Sequence, residues 1–217
     1  AGSTAKSVVD NVQAIKGWGE AGKNLSSLNT MRGGEKGFKG FVAENLQAAE
    51  ATARGKATTV INNNGAADLI YTGKNGHKDL QQMKVGYGPG DIAYSEYSGQ
   101  TIVMDKGNPH LGKIIKEGKS EGIKVTEGYV SNNDAKSLAD AMQAESRFTG
   151  AKNAPIVSRS VAAHKAGMQA GRTGALYGAG FSLATNTVDV LNGEKEVGDA
   201  AVDVAKDTAI SYGAGYA

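Results

Sequence analysis

The chain has 217 residues, with 24 Lys and Arg against 22 Asp and Glu and a formal net charge of +2. A hydrophobic content of 40% provides for a core, while the near-neutral balance leaves room only for a local, not a chain-wide, nucleic-acid signal. The absence of cysteine excludes disulfides and thiolate metal sites, and no run of about eighteen uncharged apolar residues makes a transmembrane helix.

The 31 glycines, roughly twice the ordinary frequency, cluster near residues 33–40, 86–90 and 167–180. No secretory signal is legible at the start, and Ala1-Gly2-Ser3 reads as a processing boundary.

Val8, Val12, Ile15 and Trp18 form one helical stripe. Gly17, Gly19 and Gly22 follow, each costing about 1 kcal/mol in a helix interior, so residues 4–31 read as a helix, a break and a second short helix. Arg32 to Gly37 is a loop. Phe38 to Arg54 is helical, rich in alanine, with Glu44 one turn beyond Gly40 and Gly55 as the C′ residue.

Ala57 to Asn63 is a β-branched strand and Asn64-Gly65 a turn. Ala66 to Tyr71 and His77 to Val85 form a hairpin around the polar turn Thr72 to Gly76. Strand alternation puts Leu80, Gln82 and Lys84 on one face and Gln81, Met83 and Val85 on the other.

Gly86-Tyr87-Gly88-Pro89-Gly90 reads as a turn, since it lacks the Gly-Lys-Ser/Thr ending of a phosphate loop. Asp91 to Tyr97 is a short helix and Gln100 to Asp105 a buried strand. Asn108 and Pro109 open a helix as cap and first residue, with Leu111, Ile114 and Ile115 inward. Ile123 to Thr126 is a strand. Asn132 or Asn133 caps a helix running through Leu138, Met142 and Phe148. This alternation gives an α/β (α+β) class. After Pro155 the glycine pairs 167/171 and 174/178 suggest a closely packed helical hairpin. The expected division is a helical arm over 1–32, an α/β domain over 33–150 and a glycine-rich helical hairpin over 151–217.

The chemistry-bearing pattern is a helix acid, Glu44, then a strand acid, Asp68, then Gln82-x-Lys84 on the next strand. Asp68 would be the principal ligand of a hard divalent cation, with Gln82 lending an amide oxygen and Glu44 completing the shell or orienting water. Lys84 would stabilise charge on a scissile phosphate. Lys74, Lys78, Lys113 and Lys116 are candidate nucleic-acid contacts; a solvated face is the competing reading. His77, His110 and His164 lack zinc-ligand spacing.

Residues 33–150 resemble the restriction-endonuclease-like, PD-(D/E)xK nuclease fold, in the form found as toxin domains of bacterial polymorphic and contact-dependent toxins. The resemblance is carried by Gly40-Phe41-Val42-Ala43-Glu44, Ala67-Asp68-Leu69-Ile70 and Gln82-Met83-Lys84. Ala67 stands where the motif has proline, and Gln82 where it has an acid. Residues 167–217 also resemble glycine-rich helical tails that accompany such domains. The resemblance implies a mixed sheet flanked by helices, and a Mg²⁺- or Mn²⁺-dependent nuclease, DNA before RNA. It further implies delivery into a competitor bacterium, action in that cell's cytoplasm and a cognate immunity protein. Two other functions stand beside it: a membrane-acting toxin working through the glycine-rich hairpin, and a degenerate, non-catalytic interaction domain.

Overall fold

The computed structural model describes residues 2–30, 32–61 and 67–170. The Asn64-Gly65 turn and the tail beyond Ala170, with most of the expected glycine-rich hairpin, lie outside the described residues.

Two helices precede the sheet, α1 (Gly2–Ser27) and α2 (Gly34–Ala53). The expected break in α1 is absent. An added Cβ at Gly22 would meet Ala162 Cβ at 2.7 Å, so the missing side chain lets a neighbouring helix press against α1. Tertiary packing thereby outweighs the low helix propensity that suggested a break. α2 begins earlier than expected and closes at Arg54, followed by Gly55 at φ 76°.

The sheet holds β1 (Thr58–Val60), β2 (Leu69–Thr72), β3 (Lys78–Lys84), β4 (Thr101–Lys106) and β5 (Lys124–Ser131), side by side in that order. β1, β2 and β3 form an antiparallel meander; β4 lies parallel to β3, and β5 parallel to β4. A loop and a 3-10 turn (Tyr94–Tyr97) connect β3 to β4, and helix α3 (Leu111–Ser120) connects β4 to β5. Helices α4 (Asn132–Thr149) and α5 (Pro155–Ala170) follow. The protein is therefore a mixed α/β structure with a mixed sheet flanked by helices.

Residues 101–105 of β4 are all buried, as a strand covered on both faces requires. Alternation sorts the core into two clusters. Met83, Val85, Val103 and Val130 join Phe38, Val42 and Leu46 of α2, Trp18 and Leu25 of α1, Leu138 and Met142 of α4, and Val157 and Val161 of α5. Ile102, Met104 and Val125 pack with Ile92, Tyr94, Ile114 and Ile123. Each such side chain contributes about 1.5–3 kcal/mol on burial. The helices that the sequence assigned to an arm and a tail thus both enter the main core.

Several boundaries differ from expectation. α3 starts after His110 rather than at Asn108-Pro109, because the Asn108 side chain accepts from the His110 N–H at 2.8 Å and closes a turn before the helix. Ser131, not Asn132 or Asn133, caps α4, its Oγ accepting from the Asp134 N–H at 3.1 Å. Ile115, expected inward, is exposed, as is Phe148 near the end of α4, at 75%. Each lies on the solvent side of its helix; Ile114 and Met142 take the inward positions.

A polar tie sets α2 on the sheet. Gln47 Oε1 accepts from the Tyr129 N–H of β5 at 2.7 Å. A Cβ at neighbouring Gly128 would lie 2.7 Å from that same oxygen, so glycine is what allows the approach. Gln47 sits about one turn after Glu44 on the same helix.

Candidate active site

Asp68 sits immediately before β2 but remains in the ladder: its N–H donates to Gln81 O at 2.9 Å and its C=O accepts from Ile61 N–H at 2.8 Å. Its side chain turns to β3, where Oδ2 accepts from Gln82 Nε2 at 2.6 Å and from the Met83 N–H at 2.9 Å. Gln82 and Lys84 share one side of β3 by alternation, while Met83 enters the core.

Lys84 Nζ donates to the Tyr97 hydroxyl at 2.8 Å and lies 4.6 Å from the centre of that ring. A second ring, Tyr87, stands 5.3 Å away. Two aromatic faces and one acceptor thus hold the ammonium in a defined place.

Glu44 arrives from α2. Burial, and then the negative charge of Asp68, push its carboxyl up to about 8, against the opposing pull of Lys84 and Arg32. Burial likewise raises Asp68, although the Met83 N–H, the Lys84 charge and the Gln82 amide work the other way. Two carboxyls in mutual range, both biased against ionisation chiefly by burial, mark a candidate functional place.

Glu44, Asp68, Gln82 and Lys84 therefore come together from three elements. The four candidate nucleic-acid lysines do not gather around them equally. Lys74 and Lys78 belong to the hairpin tip, and Lys78 is six residues, roughly 20 Å along the strand, from Lys84. Lys113 and Lys116 are exposed on α3, whose first turn opens at the carboxyl end of β4.

Gly86 to Gly90 is a turn, as expected, and not a phosphate cradle. The Gly86 N–H donates to Asp105, the Gly88 N–H to Asp91 and the Gly90 N–H to Glu117, so its amides already face carboxylates.

A hard divalent cation fits the donor set. Glu44 and Asp68 offer two carboxylates, enough for a Mg²⁺-like ion that keeps several waters and shares a substrate phosphate. Among the described residues no group of three or more His, Cys, Asp or Glu side chains converges. Gln82 presents its N–H₂ to Asp68, so its amide oxygen becomes a ligand only if the amide turns over.

Tyr87, Tyr97 and Arg32 were not legible as site residues. Tyr97 lies thirteen positions from its partner in a 3-10 turn, and no periodicity links the two. The one available signal was the presence of tyrosines in a short polar connection just after Gln-x-Lys. Among known proteins, no family model, no curated protein and no solved structure matches the chain.

Proposed function

We propose that the protein is a metal-dependent nuclease of restriction-endonuclease-like architecture, hydrolysing phosphodiester bonds in DNA. The observation that carries this reading is the meeting of Glu44, Asp68 and Lys84, two carboxyls and one ammonium, around Gln82. The meander β1-β2-β3 followed by parallel β4 and β5 supports the architecture, since it delivers Asp68 and Gln82-x-Lys84 from adjacent strands.

Asp68 and Glu44 would hold the cation, with Gln82 able to add its carbonyl. Bound there, Mg²⁺ or Mn²⁺ supplies Lewis acidity toward a phosphate oxygen and a water of lowered pKa. The remaining work belongs to the chain. Gln82 and the Met83 N–H fix the rotamer of Asp68. Lys84, positioned by Tyr97, stabilises the charge that grows on the phosphate as the attacking oxygen approaches. Glu44 gives up its proton as positive charge enters the site. Use as a toxin delivered into the cytoplasm of a competing bacterium, restrained by an immunity protein, is part of the same proposal and rests on the resemblance.

The test incubates the purified protein with plasmid DNA and with total RNA, with Mg²⁺ and with chelator, beside Asp68→Ala. The expected result is metal-dependent loss of DNA that Asp68→Ala abolishes while melting like the parent. Loss of RNA alone would change the substrate and keep the site; full activity in Asp68→Ala would end the assignment.

A second reading draws on one contact. Gln82 already occupies Asp68 Oδ2 with its amide N–H, which suits a non-catalytic relative that binds a partner. Metal binding by Gln82→Glu, absent in the parent, would favour that reading. No helix among the described residues is long and apolar enough to cross a membrane.

A further inference from the structure

The carboxyl ends of β3, β4 and β5 surround a cleft of about 420 Å³, within the roughly 300–1,000 Å³ typical of small-ligand sites. Open sheets with parallel strands take ligands at this end.

Asp105 forms part of its lining and is 4% exposed. Its Oδ1 is used twice, accepting from the Gly86 N–H at 3.1 Å and from Asn108 Nδ2 at 2.9 Å. Its Oδ2 takes no hydrogen bond among the described residues, and it is not one of the sealed orphan atoms of the interior, so it opens on the cleft. A nearly buried acceptor in this condition wants a donor.

Tyr87 forms the wall and is 37% exposed. Its ring is 5.3 Å from Lys84 Nζ, which joins the cleft to the Glu44–Asp68–Lys84 site. The Gly86, Gly88 and Gly90 amides are occupied by carboxylates and do not cradle a phosphate. A flat aromatic face beside a deep acceptor suits a planar heterocycle that carries a donor.

We propose that this cleft receives one unpaired base of the strand being cut, a base with an exocyclic amino group. Tyr87 is the stacking face, as aromatic side chains are for unstacked bases. Asp105 Oδ2 accepts from the amino group, the pairing an acidic side chain makes with cytosine N4. The inference rests on the nuclease reading and gives it a substrate class: single-stranded or locally opened nucleic acid.

Cytosine and uracil differ at this position by amino against carbonyl, so oligo-dC and oligo-dU of one length form the probe pair. With Mg²⁺, the parent should cut oligo-dC about tenfold or more faster than oligo-dU, and faster than a duplex of the same sequence. Asp105→Asn keeps an oxygen for Gly86 and Asn108 but puts a donor in place of Oδ2, so the preference should vanish or invert. Tyr87→Ala should raise KM on both oligomers and leave the dC preference standing. Equal cutting of oligo-dC and oligo-dU by the parent overturns the proposal.

Binding of dCMP and dUMP in chelator separates this inference from the nuclease reading. If the parent cuts nothing yet binds dCMP over dUMP, and Asp105→Asn loses that difference, the cleft stands and the nuclease reading falls. If the parent cuts nucleic acid with no base preference in either assay, the nuclease stands and the cleft falls. Should Asp105→Asn melt before assay, the parent's dC-to-dU ratio and Tyr87→Ala still decide.

Discussion

Helix α2 carries two inward glutamates six residues apart, and the protein treats them in opposite ways. Glu50, 4% exposed, is met by Arg54 Nη1 at 2.6 Å and by Lys165 Nζ from α5 at 3.5 Å. Lys165 in turn lies 5.3 Å from the Trp18 ring of α1, so this carboxylate ties three helices together. Glu44 has no cation within ion-pair distance among the described residues and faces a second acid, and its carboxyl is pushed up to about 8. One helix thus bears a compensated charge that serves the fold and an uncompensated one that does not. The difference teaches what separates a structural carboxylate from a candidate ligand: a buried carboxyl with cations in direct contact serves the fold, and one whose cations stay beyond contact keeps the cost of its burial.

The largest expected effect tests the compensated side. Glu50→Ala removes the carboxylate that Arg54 and Lys165 both meet, and loss of one partner of a buried pair costs about 3–5 kcal/mol. That corresponds to a Tm lower by roughly 6–20 °C in a chain of this size. A thermal melt within about 2 °C of the parent would show that the Glu50 cluster does not hold the helices together, and the contrast with Glu44 would lose one half. Next comes Lys84→Ala, expected to lower the cleavage rate about 10²–10³-fold, as removal of a transition-state stabiliser does, with Tm nearly unchanged. An equal loss of rate and stability would move Lys84 to the structural side of the comparison.

The residues of the candidate site were easier to name in the sequence than the packing around them. Glu44, Asp68, Gln82 and Lys84 could be named because the order helix acid, strand acid, Gln-x-Lys matches the motif of the resemblance, and strand alternation, a local rule, adds that Gln82 and Lys84 share a face. The strand core from Gln100 to Asp105 was legible from local sequence too. What failed was set by distant neighbours, or by which of two adjacent polar residues makes a local bond. Gly22 read as a break because propensity cannot see Ala162 pressing on α1. Asn132 read as a cap because Ser131 and Asn132 look alike in sequence, and only the bond from the Asp134 N–H separates them. Tyr97 was invisible because its tie to Lys84 depends on how the connection between β3 and β4 folds back.

Glu44→Gln tests the uncompensated side by pH. The folded-state carboxyl titrates near 8, above the ordinary value of 4.5. Between those values the folded protein holds a proton that the unfolded chain has lost, so stability falls as pH rises through that window. The stability Glu44 contributes is fully present below about pH 4.5 and is gone above about pH 8. In chelator, Glu44→Gln should therefore flatten the decline and leave the variant more stable than the parent at pH 9, on the order of 2 kcal/mol. Denaturant titrations at pH 5, 7 and 9 measure it. A parent curve that is flat over this range would mean that Glu44 has found a partner after all.

Tyr97→Phe carries the smallest effect and places Lys84 most finely. The substitution keeps the ring 4.6 Å from Nζ and removes the hydroxyl that accepts its hydrogen bond at 2.8 Å. A single hydrogen bond to a charged group is worth about 1.5–3 kcal/mol and the remaining cation–ring attraction about 0.5–1, so part of the restraint survives. The rate should fall about tenfold with KM steady, because an ammonium free to wander still meets the phosphate but spends less time where charge develops. Tyr97→Ala should cost more than Tyr97→Phe, by the lost ring. If Tyr97 acts only through Lys84, then Tyr97→Phe made on top of Lys84→Ala should change the rate no further. A full additional tenfold loss in that double variant would show that Tyr97 touches the substrate itself, and the site would gain a member that its place in the 3-10 turn does not reveal.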